Sequence, residues 1–290
     1  MSKLTFVTCI YDDLFGTEFG GRPHPTRKYF YGLESAMKMN SHFVIFTWKK
    51  DVERVNEYFK DFLGEDKFNE TIKVVEYDLY NTPIREVIKK EKEQNNKIPG
   101  DRCHDVMIGK FLMIKNSIEK NYFNSETFFW IDSGLSNSSL FPNKYLDLES
   151  RERRYSSCSL FTPKVVDHLL EKSDDKILLI KMNEIGYWFN KSHLSPGDGT
   201  WYIIGGLFGG KKDVMNSFCD DSINCFLDHL QNKQTLYTEE QIMTIIRSFD
   251  KERFNIIEFE VWHHENSGDW VQGKIIGKRN FYKIFEEFNL

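Results

Sequence analysis

The sequence predicts an α/β protein in which helices flank one central, mixed but mostly parallel β-sheet. In the first half of the chain, segments rich in β-branched residues alternate with amphipathic segments, which is typical of strand–helix units. The most apolar strand candidate shows no alternation, as expected for a strand buried on both faces. Neither an internal repeat nor a composition break divides the 290 residues. We therefore expect a single domain spanning residues 1–290.

The first half supplies four strands and four helices. Strands are predicted at 4–10, 42–47, 71–77 and 128–131. Helices are predicted to begin near Thr26, Val52, Pro83 and His104. The helix from about His104 to Lys120 is the clearest, because its apolar residues recur at steps of four and three and so share one face.

The second half is less regular. Strands are predicted at 177–182, 201–204 and 254–261, and a loop at 142–154. Helices are predicted at 212–230 and from Thr238, where Thr238 and Gln241 form a capping box. The glycine-rich stretch Gly205–Gly210 should connect the strand at 201–204 to the helix that follows.

Composition and charge exclude several classes of protein. A net charge of −5 disfavours broad electrostatic binding to nucleic acid. The apolar runs are strand-sized, far below the ~18 residues of a membrane span, which leaves only peripheral membrane contact open. The N-terminal run reads as a first strand and not as a signal peptide. Five cysteines without a C-x-x-C pair indicate a reduced chain and a cytoplasmic location.

Asp132 is the strongest candidate for a functional residue. It comes directly after the apolar strand at 128–131, and open α/β sheets bind their ligands at the carboxyl ends of strands. Gly134, two residues later, allows a sharp turn and a close ligand approach. The alternative is that Asp132 only caps a turn.

Two further groups could bind a metal or a ligand. His263 and His264 end the last predicted strand, and a neutral imidazole is a good ligand for a divalent metal. Successive strand residues point to opposite faces, so only one of them, which we expect to be His263, can reach the site. Gly205, Gly206, Gly209 and Gly210 allow either close backbone approach to a ligand or tight packing in a bent strand.

Charged side chains complete the candidate set. Glu239 and Glu240 occupy the first turn of a helix, where they could face a substrate or simply complement the helix dipole. Cationic side chains that could neutralise a diphosphate are found at Arg27, Lys110, Lys274, Lys278 and Arg279. A metal together with Lys or Arg is what a departing nucleoside diphosphate needs.

Ordered motifs resemble those of the HtrL/YibB-like (WlaTC/HtrL) family of presumed glycosyltransferases. The matching segments are 6–12, 27–29, 129–135, 205–210 and 237–241, which span nearly the whole chain. The resemblance implies a GT-A fold, with a nucleotide-binding half at 1–135 and an acceptor-binding half at 136–290. It further implies transfer of a sugar from a nucleotide-diphosphate donor, expected to be a UDP-sugar, in glycan biosynthesis. The acceptor would be a hydroxyl of a glycan or of a lipid-linked or protein-linked molecule.

The resemblance also implies roles for individual residues. In the GT-A fold a D-x-D-type motif holds a divalent cation, Mn²⁺ or Mg²⁺, on the diphosphate. Here Asp132 is the only acid of that motif, with Trp130 in place of the first acid or Gly134 in place of the last. His263 or His264 would be the second metal ligand, and Glu240 or Glu239 would act on the acceptor hydroxyl.

The remaining contacts follow from the same resemblance. The donor would be bound at Thr8, Ile10, Tyr11, Arg27, Lys110, Asp132, Ser133, Gly134 and Lys274, and the acceptor or sugar at Gly205, Gly206 and Gly209. Tyr11 would stack on the base. Glu240 would deprotonate the acceptor in an inverting reaction or orient the sugar in a retaining one, and both remain open.

Two other functions compete with the transferase. A binding module of the same fold would hold a nucleotide sugar or glycan without turnover, and the single acid at Asp132 favours it. A phosphate-ester hydrolase would need more clustered acids than the sequence offers.

Overall fold

The fold is known over most of the chain. The computed structural model describes residues 4–11, 27–95, 103–135, 145, 158–184, 201–234, 236–262, 278–279 and 282–290. The side chains of 27, 28, 103, 104, 182–184, 201, 202, 260–262, 278 and 279 are outside this description. The structure confirms the predicted class, an α/β fold with a mixed, mostly parallel central sheet flanked by helices.

The described strands form one eight-stranded sheet. The strands are β1 (Leu4–Ile10), β2 (His42–Thr47), β3 (Ile72–Glu76), β4 (Thr127–Ile131), β5 (Ile177–Glu184), β6 (Trp201–Lys211), β7 (Phe254–Trp262) and β8 (Lys278–Arg279). Their order across the sheet is β3-β2-β1-β4-β6-β5-β7-β8. β6 is antiparallel to both β4 and β5, and β8 is antiparallel to β7, while the other pairings are parallel. The carboxyl ends of β1, β4, β5 and β7 therefore share one edge with the beginning of β6.

Helices cover both faces of the sheet. They are α1 (Arg27–Met37), α2 (Val52–Leu63), α3 (Glu65–Thr71), α4 (Pro83–Gln94), α5 (Cys103–Lys120), α6 (Pro163–Lys172), α7 (Lys212–Lys233), α8 (Glu239–Phe249) and α9 (Tyr282–Phe288). Apolar residues of α1, α2, α3, α6 and α9 pack on one face, and those of α4, α5, α7 and α8 pack on the other. Both faces of the sheet are therefore core.

Strand β4 is buried along its whole length, as its unbroken apolar sequence predicts. Phe129 and Ile131 belong to the core on the α1 face, whereas Phe128 and Trp130 belong to the core on the α5 face. This alternation follows from the two-residue period of a strand. The strand thus delivers Asp132 to the edge of the sheet, one residue beyond its end.

Most of the predicted elements are confirmed to within two or three residues. The predicted capping box at Thr238 and Gln241 is present, with both reciprocal hydrogen bonds formed. The strand predicted at 201–204 is longer than expected, because Gly205–Gly210 also lies inside β6. Helices α3, α6 and α9 were not predicted, and the predicted loop at 142–154 lies almost wholly outside the described residues.

Two further findings concern the helices and the cysteines. None of the helices in the described part of the chain is long and apolar enough to cross a membrane. The cysteines with described side chains, at positions 9, 158, 219 and 225, are free thiols.

Candidate active site at the end of strand β4

Four elements meet where β4 ends. Asp132 follows β4, Gly205 lies in β6, Lys110 comes from α5, and Glu239 and Glu240 open α8. The antiparallel pairing of β4 with β6 places the early residues of β6 beside the end of β4. The Asp132 backbone N–H continues this ladder by donating to the Gly206 carbonyl at 2.8 Å.

Lys110 is the centre of the site. Its ammonium lies within 2.6 Å of Glu239 Oε1, 3.0 Å of Asp132 Oδ1 and 3.0 Å of the Gly205 carbonyl oxygen. Three donors thus meet three acceptors, which is the full hydrogen-bonding capacity of an ammonium. The side chain is only 6% exposed. Lys110 was predicted to contact a diphosphate, but the structure shows that its protons are all used within the protein.

Asp132 is the part of this cluster that faces outward, with a side chain 42% exposed. Its Oδ1 accepts hydrogen bonds from the Trp130 indole N–H at 2.6 Å and from Lys110. Its Oδ2 accepts none from the residues that the structure describes, and a Cβ added to Gly206 would lie 3.5 Å from it. One oxygen is therefore held by the protein and the other is available.

Glu239 forms the inner part of the cluster. It is buried, and its Oε2 is a buried oxygen without a hydrogen-bond partner among the described residues. The carboxylate packs directly on Gly205, since a Cβ at that position would come within 2.4 Å of Glu239 Oε1. Glu239 was predicted as one of two catalytic acids; the structure shows it buried and paired with Lys110.

Glu240 is the second acid of the α8 first turn and lies closer to solvent. Its Oε1 accepts a hydrogen bond from the Gly205 backbone N–H at 3.1 Å. Gly205 therefore joins both acids, with its N–H to Glu240 and its carbonyl to the lysine that binds Glu239.

The environment shifts the pKa values of three groups. Burial, and then the neighbouring Glu239, raise the pKa of Glu240 above its usual value, against the opposing effect of the Gly205 N–H. Burial alone would lower the pKa of Lys110, but Asp132 and Glu239 outweigh it and raise that pKa. Burial and the Asp132 charge raise the pKa of the nearby Cys9 thiol, which keeps it protonated and unreactive.

The predicted contacts of the first strand need correction. Tyr11 is only 3% exposed; its ring packs edge-on against Trp48 and its hydroxyl donates to the Tyr77 carbonyl. It therefore has no open face for the predicted stacking on a base. The side chains of Thr8 and Ile10 are buried as well, so strand β1 supports the site without presenting these side chains to it.

The glycines of β6 separate into two groups. Gly205 and Gly206 lie against Glu239 and Asp132, as a site would require. Gly209 lies deeper in the sheet, where a Cβ would come within 2.3 Å of the Phe129 ring. Gly210 is similarly enclosed, with the Lys176 carbonyl 2.9 Å from such a Cβ. Tight packing thus explains Gly209, which was predicted to contact the sugar.

Ser133 and Gly134 form the turn after Asp132, which the Leu135 N–H closes by donating to the Asp132 carbonyl at 3.0 Å. Helix α1 packs against this turn at Gly32, where a Cβ would come within 1.8 Å of the Ser133 carbonyl oxygen. The close approach of α1 therefore requires glycine there and fixes the position of the turn.

The described residues do not form a metal site by themselves. Across the described ranges, no three His, Cys, Asp or Glu residues come together in a way that could hold a metal ion. Asp132, whose side chain is 42% exposed, has an Oδ2 that accepts no hydrogen bond within that part of the chain. The predicted second ligand, His263, lies outside the described residues, as do His264 and Lys274. The side chains of Arg27, Lys278 and Arg279 are also outside the description.

The sequence prediction missed the pairing of Lys110 with Glu239 and the role of Trp130. The signal for Lys110 was a charged residue beside the apolar stripe of α5. The signal for Trp130 was its spacing of two from Asp132, which puts both side chains on one side of a strand.

Many solved structures resemble this chain in fold, and two of them illustrate how low the sequence similarity is. No family model matches this sequence, and no curated protein sequence matches it either. A 4-diphosphocytidyl-2C-methyl-D-erythritol synthase from Anaerococcus prevotii is 9% identical, with a TM-score of 0.42 over 88% of this chain and 86% of that chain. Mouse xyloside xylosyltransferase 1 is 12% identical, with a TM-score of 0.45 over 88% of this chain and 84% of that chain. Neither a family assignment nor an activity follows from these likenesses.

Proposed function

We propose that the protein is a glycosyltransferase that transfers a sugar from a nucleotide-diphosphate donor, a UDP-sugar, to a hydroxyl acceptor. The observation that carries the proposal is the half-exposed carboxylate of Asp132 beside the buried Lys110–Glu239 pair at the carboxyl end of β4. In open α/β sheets this edge is where ligands bind. A cluster of buried charges in such a place is typical of an active site. The family resemblance supplies the reaction class.

Asp132 is the proposed contact to the donor. Its Oδ2 has no donor among the described residues, and a carboxylate oxygen is an acceptor for sugar or ribose hydroxyls. The proposed Mn²⁺ or Mg²⁺ would also have to bind there. Since the described residues offer no complete metal site, the proposal assigns no step to the cation.

Glu240 is the proposed residue acting on the acceptor. A raised pKa moves a carboxyl group closer to neutral pH, where a general base transfers protons most effectively. If the reaction inverts, Glu240 takes the proton of the acceptor hydroxyl; if it retains, Glu240 orients the sugar. Glu239 is assigned the structural role of holding Lys110.

Binding should be tested before turnover. Thermal unfolding is measured with UDP, UDP-sugars and other nucleotides, each with and without Mn²⁺, for wild type and for Asp132→Asn. A ligand at 100 times its dissociation constant adds roughly 2.7 kcal/mol of stability, an easily measured rise in melting temperature. A rise in wild type that the variant lacks supports the proposal. If no nucleotide shifts wild type under either condition, the nucleotide-sugar proposal is wrong.

Turnover distinguishes an enzyme from a binding module. The binding module remains a second candidate because Asp132 is the only acid between Trp130 and Gly134. Mass spectrometry of UDP-sugar mixtures would reveal donor hydrolysis or transfer to an added glycan. Binding of UDP without any donor consumption would favour the binding module.

Membership in the HtrL/YibB-like family, the division into a nucleotide-binding half at 1–135 and an acceptor-binding half at 136–290, and a cytoplasmic location stay predictions.

A further inference from the structure

Asp132 differs from an ordinary surface carboxylate in how firmly it is held. Its backbone is fixed by the Gly206 carbonyl on one side and by the turn to Leu135 on the other. Its side chain is held at Oδ1 by two donors, the Trp130 indole N–H at 2.6 Å and the Lys110 ammonium at 3.0 Å. Both bonds are charge-assisted, the stronger class of hydrogen bond. A half-exposed side chain with this support is fixed before any ligand arrives.

Trp130 contacts both Asp132 and the lysine that binds it. It is fully buried in the core on the α5 face, so its indole cannot turn away. Its ring also lies under the Lys110 ammonium, 5.3 Å from ring centroid to Nζ, within the range of a cation–π contact. One side chain thus supports both the carboxylate and the cation that binds it.

We propose that Trp130 is a positioning residue: its indole N–H, with Lys110, holds Asp132 Oδ1 so that Oδ2 alone faces the ligand. Trp130 itself touches no ligand. The indole N–H donates to Asp132 from two residues earlier in the chain, a position from which an acidic side chain would repel the carboxylate. A donor at this position therefore fixes the orientation of Asp132. The identity of the ligand as a nucleotide diphosphate rests on the proposed function, whereas the holding of Asp132 does not.

The hydrogen bond from Trp130 to Asp132 can be tested without any ligand. The protein contains six tryptophans, so a ¹⁵N-labelled sample should give six indole N–H signals, and Trp130→Phe identifies the one from Trp130. Asp132→Ala should move that signal toward the free indole positions, because the acceptor is gone. Phe128→Leu is the matched control: Phe128 is buried on the same face of β4 and has no polar atom. An unmoved Trp130 signal in Asp132→Ala would overturn the proposal.

The consequence for binding is measured with UDP, with and without Mn²⁺. Trp130→Phe keeps a ring under Lys110 but removes one charge-assisted hydrogen bond, so UDP affinity should fall roughly tenfold or more. Phe128→Leu should lower the melting temperature by a similar amount, because it removes packing contacts in the core. It should change the UDP affinity by less than about twofold, because no hydrogen bond to Asp132 is lost. Equal losses in the two variants would reduce Trp130 to a packing residue and refute the proposal. If wild type binds no UDP, the proposed function fails, and the indole signal still decides whether Trp130 holds Asp132.

Discussion

Removing the Lys110 ammonium should destabilise the protein by several kcal/mol, and the replacement Lys110→Met tests this. Methionine keeps the length and apolar stem of the side chain and removes only the charge and its three donors. The Glu239 carboxylate, which is 6% exposed, would then be a buried charge without a cation. Breaking a buried ion pair in this way typically costs about 3–5 kcal/mol.

The stability loss in Lys110→Met can be compared with the loss on breaking a more exposed ion pair of the same helix. Lys115, also in α5, forms an ion pair with Asp220, but the two side chains are 30% and 50% exposed. Exposed pairs contribute about 0–1 kcal/mol, so Lys115→Met should change stability little. Urea unfolding followed by circular dichroism gives both values under one condition. At roughly 2 °C per kcal/mol for a chain of this size, the melting temperature of Lys110→Met should fall by about 6–10 °C.

A double-mutant cycle identifies the cause of the loss. In Lys110→Met/Glu239→Gln the buried charge is removed together with its partner, so the double variant should recover much of the stability lost by Lys110→Met. Strictly additive losses would show that the two side chains are not coupled. A loss below about 1 kcal/mol in Lys110→Met alone would contradict the buried-pair reasoning altogether.

Three further predictions use the other residues of the cluster. Asp132→Asn should abolish the UDP-induced rise in melting temperature while leaving the ligand-free value nearly unchanged; a retained rise would make Asp132 a turn residue only. Glu240 has a raised pKa, so its contribution to stability is present below its unfolded pKa of about 4.3 and is lost as pH rises through the folded value. Urea unfolding at several pH values should therefore show the free energy of unfolding of Glu240→Gln rising relative to that of wild type as pH rises, and a pH-independent difference would contradict the raised pKa. In either proposed role, as acceptor base or as sugar-orienting residue, Glu240→Gln should also lose roughly 10²-fold or more in rate. Gly205→Ala should be far more destabilising than Gly206→Ala, because the added Cβ meets a Glu239 oxygen at 2.4 Å in the first case and a Leu135 methyl at 3.0 Å in the second; equal melting temperatures would refute that contact.

The sequence predicted well the elements whose pattern is local. Strand β4 and helix α5 have unbroken apolar runs or stripes, and the capping box at Thr238 depends on residues three apart. Helix α3 was missed because it is seven residues long and mostly polar, and only Phe68 is buried. Its existence depends on packing against the sheet, which no local pattern encodes.

The candidate site was predicted in part, and the error had a definite cause. Asp132, Glu239 and Glu240 were identified by their place at the ends of elements, which is a local property. Lys110 and Glu239 are 129 residues apart, and only the folded sheet brings them together. Lys110 was therefore expected to bind the diphosphate of a ligand. In the structure its charged partners are two carboxylates of the protein itself. The predicted stacking of Tyr11 on a base was wrong for a similar reason. An aromatic residue at a strand end can face either a ligand or the core, and Tyr11 is buried in the core.

The charges of the cluster explain how several acids can share one small volume. Lys110 neutralises one of the two carboxylates that it contacts, and Trp130 gives the second a neutral donor. The third acid, Glu240, has a raised pKa and so holds its proton more readily than a solvated glutamate does. Proton uptake at Glu240 thus lowers the repulsion that remains after the lysine is counted. The same arrangement gives the site two chemically different carboxyl groups: a fixed, half-exposed carboxylate at Asp132 and a more basic one at Glu240, which are the two properties that ligand binding and proton transfer require.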